Sequence, residues 1–114
     1  MASVDTPTNN SLLPTDDVSG LQVSPVKISI LRLELTTAMK DDAISQFCTI
    51  YRAASVVIEK DLASELKKYF DKTYGHTWQC IVGKGFGCSI AYDTQYLLFF
   101  KANQHNVLLF KSVE

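Results

Sequence analysis

A chain of 114 residues, 46% apolar, with five Tyr, six Phe and one Trp, is one folded domain with a real but modest core. Its net charge of −1 offers no electrostatic hold on nucleic acid or an acidic membrane. Cys48, Cys80 and Cys88 lack metal-site spacing and, being odd in number, fit a reducing compartment.

Residues 1–25 are rich in Ser, Thr, Asn, Asp and Pro and hold Asp5, Asp16 and Asp17 but no Lys or Arg. They read as a flexible extension, since such a composition buries too little surface to order itself. It is either an inert tail or a segment that orders on a partner. No basic region followed by an apolar run marks a signal peptide. The longest apolar runs, such as Tyr96 to Phe100, fall far short of a membrane span. The expectation is a cytosolic or cytoskeletal protein.

The domain proper occupies residues 26–114. Val26 to Leu33 alternates as a strand, with Val26, Ile28 and Ile30 on one face. Thr36 or Thr37 can cap a helix over about 37–55, where Met39, Ala43, Phe47, Ile50, Tyr51 and Ala54 make one stripe. The β-branched run at Val56 to Ile58 breaks it. A second helix begins near Lys60 or Asp61, favoured by Glu59 and Asp61 at its positive end. Leu62, Leu66, Tyr69 and Phe70 form its buried stripe, and Gly75 stops it.

Trp78 to Val82 is a strand with Trp78, Cys80 and Val82 on one face. Gly83 to Gly85 supply a turn, and Phe86 to Ala91 reads as a second strand of a hairpin, thin because Gly87, Cys88, Ser89 and Ala91 are small. Such a strand is an ordinary interior one, an edge that takes a ligand strand, or an element exchanged with a second chain. Tyr96 to Lys101 is dense enough to be buried on both faces. Asn103 to Asn106 form a polar turn, and Val107 to Phe110 a last core strand. The order is β-α-α-β-β-β-β: an α+β domain, with two helices packed on an antiparallel sheet.

Catalytic chemistry is not visible. His76 and His105 fall in expected turns without a neighbouring nucleophile and acid, and read as surface or turn residues. Gly83-Lys84-Gly85-Phe86-Gly87 lies between strands and lacks the ending of a phosphate loop. Asp41, Asp42 and Asp71 read as solvated helix residues. Tyr96, Phe99 and Phe100 read as core or interface rather than as base-stacking surface, because no basic patch accompanies them. The expectation is a protein that is not an enzyme, with no cofactor and no metal.

Four stretches, in order, resemble the eight-kilodalton dynein light chain family: Ile58 to Ala63, Lys67 to Tyr74, Thr77 to Gly87, and Leu108 to Ser112. The resemblance covers about residues 26–113. It implies a strand-exchanged homodimer in which Phe86 to Ala91 crosses to the partner's sheet. It also implies two grooves at the dimer interface, each taking an extended peptide as an added strand, often around a Thr-Gln-Thr core. On that resemblance Gly87, Cys88, Ser89, Ile90 and Ala91 offer backbone partners to the peptide. Glu59 and Lys60 receive its glutamine, and Phe86, Leu97 and Phe99 line the apolar floor. The dimer interface then includes Gln79 and Phe86 to Ile90.

Some positions depart from the family's pattern. Its serine, tyrosine and threonine in the exchanged strand are Cys88, Ser89 and Ala91, a groove tyrosine is Lys101, and a small residue in the last strand is Asn106. These imply a wider, less aromatic groove. Gln79 replaces the family's interface histidine, so no histidine switch of the dimer between about pH 7 and 5 is expected. Ser112 matches a serine regarded in the family as regulatory; a terminal serine is also simply exposed.

The function so implied is a non-catalytic, dimeric light chain of a dynein motor on the microtubule cytoskeleton, binding the dynein intermediate chain. It pairs with itself or a related light chain, and a cilium or flagellum axoneme is one home. The alternative is a dimerisation hub for disordered partners unrelated to motors. Neither reading involves nucleic acid or a membrane.

Overall fold

The computed structural model describes residues 25–113, so the expected extension over residues 1–25 lies almost wholly outside the described residues. Six elements follow in order: β1 Ile28–Glu34, α1 Thr37–Ala53, α2 Glu59–Tyr74, β2 Trp78–Gly83, β3 Tyr92–Ala102 and β4 His105–Ser112. The domain is α+β, with a four-stranded antiparallel sheet in the order β1-β3-β4-β2.

The helix ends follow local chemistry. The Thr36 hydroxyl accepts from the Met39 amide at 3.2 Å and caps α1, as a short β-region hydroxyl residue does. Helix α2 starts at Glu59, one residue before the expected start, with Ile58 at the cap position and no side-chain cap. It ends at Gly75, whose φ of 82° and ψ of 168° lie where essentially only glycine sits without strain.

Both helices cover one face of the sheet. Phe47 of α1, Leu62, Leu66 and Phe70 of α2, and Trp78, Leu98, Phe100, Val107 and Leu109 of the strands form a fully interior cluster, with Cys80 and Val82 packed against it. Phe100 meets Phe47 edge-on at 5.6 Å, and Trp78 meets Phe70 at 4.9 Å. Each such side chain contributes about 1.5–3 kcal/mol through removal from water. The alternation expected at Trp78, Cys80 and Val82 is present.

The other face is also apolar. Leu97, Leu108 and Phe110 are buried there, against Ile81, Phe86, Ile90, Tyr92 and Phe99. Central strands β3 and β4 therefore carry apolar side chains on both faces, as their density implies.

The expected hairpin is absent. Strands β2 and β3 both run antiparallel to β4, so they are parallel to each other, and residues 84–91 must travel back along the sheet. Phe86 to Ala91 forms no strand in this chain's sheet. No backbone bond outside the regular elements involves residues 84–91 among the described residues. Phe86 and Ile90 instead cover the second apolar face, and the outer edge of β2 is left without a partner among the described strands.

Two further expectations change. The turn after β3 is only Asn103-Gln104, since Ala102 pairs with His105; Asn103 takes φ 56°, which asparagine tolerates. Strand β3 begins at Tyr92, well before Tyr96, with an irregular register between Tyr92 and Leu97.

Candidate functional site

The first turn of α2 and the free edge of β2 face each other across an open cleft. Strand β2 pairs only with β4 among the described strands, so its outer edge keeps unpaired backbone groups. The first main-chain bonds of α2 run from Asp61 and Leu62 to the Ile58 carbonyl. The Glu59 and Lys60 amides come before them, at the positive end of the helix.

Glu59, Lys60, Ala63, Ser64 and Lys67 line the helix side of this cleft, and Gln79 to Val82 the strand side, around a volume of about 530 Å3. It continues into a second hollow of about 640 Å3 lined by Val57, Glu59, Ile81 to Gly85, and Phe86. Both share Glu59, Ile81 and Val82. The result is a groove along a sheet edge, with carboxylate and ammonium groups at one wall and Lys84 and Phe86 at the far end.

Phe86 turns back because Gly83 leaves it room: a Cβ on Gly83 would meet the Phe86 ring at 3.3 Å. The Asn106 amide donates to the Lys84 carbonyl at 3.1 Å and fixes the start of the returning segment. Asn106, one of the positions that depart from the family's pattern, is thus a local tie. Lys101 is exposed.

The structure brings Phe86, Leu97 and Phe99 together, with the Phe86 and Phe99 rings 6.1 Å apart and Leu97 buried beside them. It places Gly87, Cys88, Ser89 and Ala91 exposed along the returning segment, and Ile90 half-buried. Glu59 and Lys60 stand at the other side of the β2 edge, and the hollows they line include none of Gly87 to Ala91. Gln79 is half-buried on β2, in the cleft wall.

Reading the residues alone missed Val57, Ile81 and Lys84, whose roles come from the path of the returning segment. It also misplaced His105. That side chain is buried, 4% exposed, on β4, with Nε2 3.3 Å from Glu59 Oε2. His76 is exposed, as expected.

Two acids expected to be solvated are structural. Asp42 accepts from the Tyr69 hydroxyl at 2.8 Å and the Tyr74 hydroxyl at 2.6 Å, joining α1 to α2. Asp71 accepts from the Trp78 amide at 2.7 Å and from Lys67 at 2.7 Å. Asp41 is exposed.

Two of the three thiols are poorly suited to nucleophilic work. Burial pushes the Cys80 thiol up to about 12 and raises that of Cys48, which keeps both protonated. Among the described residues no three His, Cys, Asp or Glu side chains gather as metal ligands. Among the described residues no helix is long and apolar enough to cross a membrane.

The sequence model of the family described as dynein light chain type 1 matches residues 27–112. Similar solved structures include the dynein light chain-like domain of the Fasciola hepatica calcium-binding protein FhCaBP2. Its native crystal form has a TM-score of 0.71 and 20% identity, covering 82% of this chain and 100% of that one. Its mercury derivative has a TM-score of 0.68 and 21% identity, covering 76% and 93%. The light-chain-like domain of CsTAL3 matches with a TM-score of 0.62 and 20% identity, over 76% of this chain and 94% of that one. At these identities the solved structures speak for the fold alone.

Proposed function

The chain belongs to the dynein light chain family, and from that premise we propose that it is a non-catalytic, dimeric subunit of a dynein motor that holds an extended segment of an intermediate chain. Membership points to dimerisation, to dynein subunits as partners and to the cytoskeleton. In the proposed dimer, Phe86 to Ala91 of each chain adds to the free β2 edge of the other. The client segment then adds as a further strand beside Gly87 to Ala91, meeting the α2 start at Glu59 and Lys60. Two identical grooves let a bivalent partner gain from effective concentration.

The observation that carries this reading is that residues 85–91 make no backbone–backbone hydrogen bond among the described residues in a chain whose β2 edge is open. Six residues outside any element, with few large side chains, suit an edge that lacks a neighbour. The acidic first turn of α2, with Glu59 and Asp61, suits a client that presents side-chain amides rather than carboxylates.

A second reading is a dimerisation hub outside motors. It is favoured by the fold's occurrence as a domain of a calcium-binding protein in Fasciola hepatica. Sedimentation of the full chain tests the dimer: a monomer at micromolar concentration overturns strand exchange. Affinity capture from ciliated cells, with the bound chains identified, separates the two readings. Recovery of dynein intermediate chains supports the motor, and their absence beside other bound partners supports the hub.

A further inference from the structure

We propose that His105 is a positioning residue that fixes the Glu59 carboxylate for a client side-chain amide; this rests on the groove reading above. His105 opens β4 directly after the two-residue turn and lies across from Ala102. From there its ring reaches under the first turn of α2, with Nε2 3.3 Å from Glu59 Oε2. On the α1 side, the Tyr51 ring meets it edge-on at 5.8 Å. Its Nδ1 is buried and without a hydrogen-bond partner among the described residues.

A carboxylate only accepts, so a hydrogen bond between the two requires a hydrogen on Nε2. Glu59 is half-exposed at the mouth of the groove, while His105 is held by the core. The imidazole therefore ties down Oε2 of a side chain that otherwise moves among rotamers, and leaves Oε1 for an incoming donor. A fixed acceptor takes the amide of a glutamine and repels the carboxylate of a glutamate. Selectivity for an amide at that client position then depends on a residue that never touches the client.

Two measurements decide this. Nitrogen-15 NMR of the wild-type imidazole is expected to show a protonated Nε2, with a resonance that moves in Glu59→Ala. A bare Nε2, or one indifferent to that substitution, overturns the proposal. The second measurement uses ten-residue peptide libraries with glutamine or glutamate fixed at the centre. The wild type is expected to prefer the glutamine member of a matched pair by about tenfold, the size of one hydrogen bond to a charged group. His105→Met should erase most of that ratio, while His105→Gln, which keeps a donor near the Nε2 position, should retain it. An unchanged ratio in a folded His105→Met overturns the proposal. If His105→Met does not fold, the NMR comparison and the His105→Gln ratio decide. If the wild type binds neither library while Nε2–H responds to Glu59→Ala, the groove reading falls and the client role with it, but the fixed Glu59 stands.

Discussion

Asp71 Oδ1 lies 2.7 Å from the Trp78 backbone nitrogen, so a carboxylate in the last turn of α2 accepts from the first amide of β2. The same carboxylate holds Lys67 through Oδ2 at 2.7 Å. It thereby sets where the chain enters the β2 edge and, with it, one wall of the groove.

Asp71→Ala is expected to destabilise the domain by about 1–3 kcal/mol, because it leaves a largely buried amide without its acceptor. Urea unfolding measures this. Burial opposes the Asp71 charge, but Lys67 and the Trp78 amide outweigh it and hold the carboxyl below its ordinary value. A lowered folded value stabilises above the unfolded one, about 3.9, and that stability is lost as pH falls through the folded value. The acid limb of stability against pH should therefore flatten in Asp71→Ala.

Alkali should act through Asp42. The Tyr74 hydroxyl is pushed up to about 12, first by its bond to Asp42, then by burial and the Asp42 charge. A raised folded value stabilises fully below the unfolded one, about 10, and that contribution is lost as pH rises through about 12. In Asp42→Ala the ultraviolet titration of Tyr74 should move down toward its ordinary value. A curve unchanged from the wild type would contradict the α1–α2 tie.

Gly75→Ala isolates a backbone cost. A Cβ there meets no atom within 4 Å, so crowding is not the issue. The φ of 82° with ψ of 168° is the issue, and a penalty of about 1–3 kcal/mol is expected. A melting temperature equal to the wild type would show that the α2–β2 connection adjusts.

Ser89→Pro should spare the fold of the single chain, since residues 84–91 make no backbone bond outside the regular elements. It removes a donor that an exchanged strand needs. Self-association is expected to weaken by about tenfold or more, the equivalent of one lost ladder bond, as read by sedimentation. Equal association of variant and wild type would leave no role for this segment in the dimer.

Much of the fold is legible in local pattern. The stripe of Ala43, Phe47 and Ile50, the cap at Thr36 and the stop at Gly75 depend only on neighbours within a turn or two. Trp78, Cys80 and Val82 share a face because a strand alternates. The chain order and the family resemblance follow from the same local text. The resemblance points to Glu59, Lys60 and Phe86 as groove residues, and all three line the hollows beside the β2 edge.

Pairing and burial across distance are another matter. The glycines after Val82 suit a hairpin, yet residues 84–91 run back over the second apolar face and leave the outer edge of β2 without a partner among the described strands. His105 reads as a turn residue in its polar surroundings, but the two-residue turn at Asn103 draws it into β4 and under Glu59. Asp42 and Asp71 look solvated until Tyr69, Tyr74 and Trp78 arrive from other elements. Periodicity is a property of a few consecutive residues, so the sequence by itself determined the two helices with their buried stripes and the alternation of β2. Strand order and the partners of buried polar groups depend on which distant surfaces compete for the same edge, and only the tertiary structure decided them.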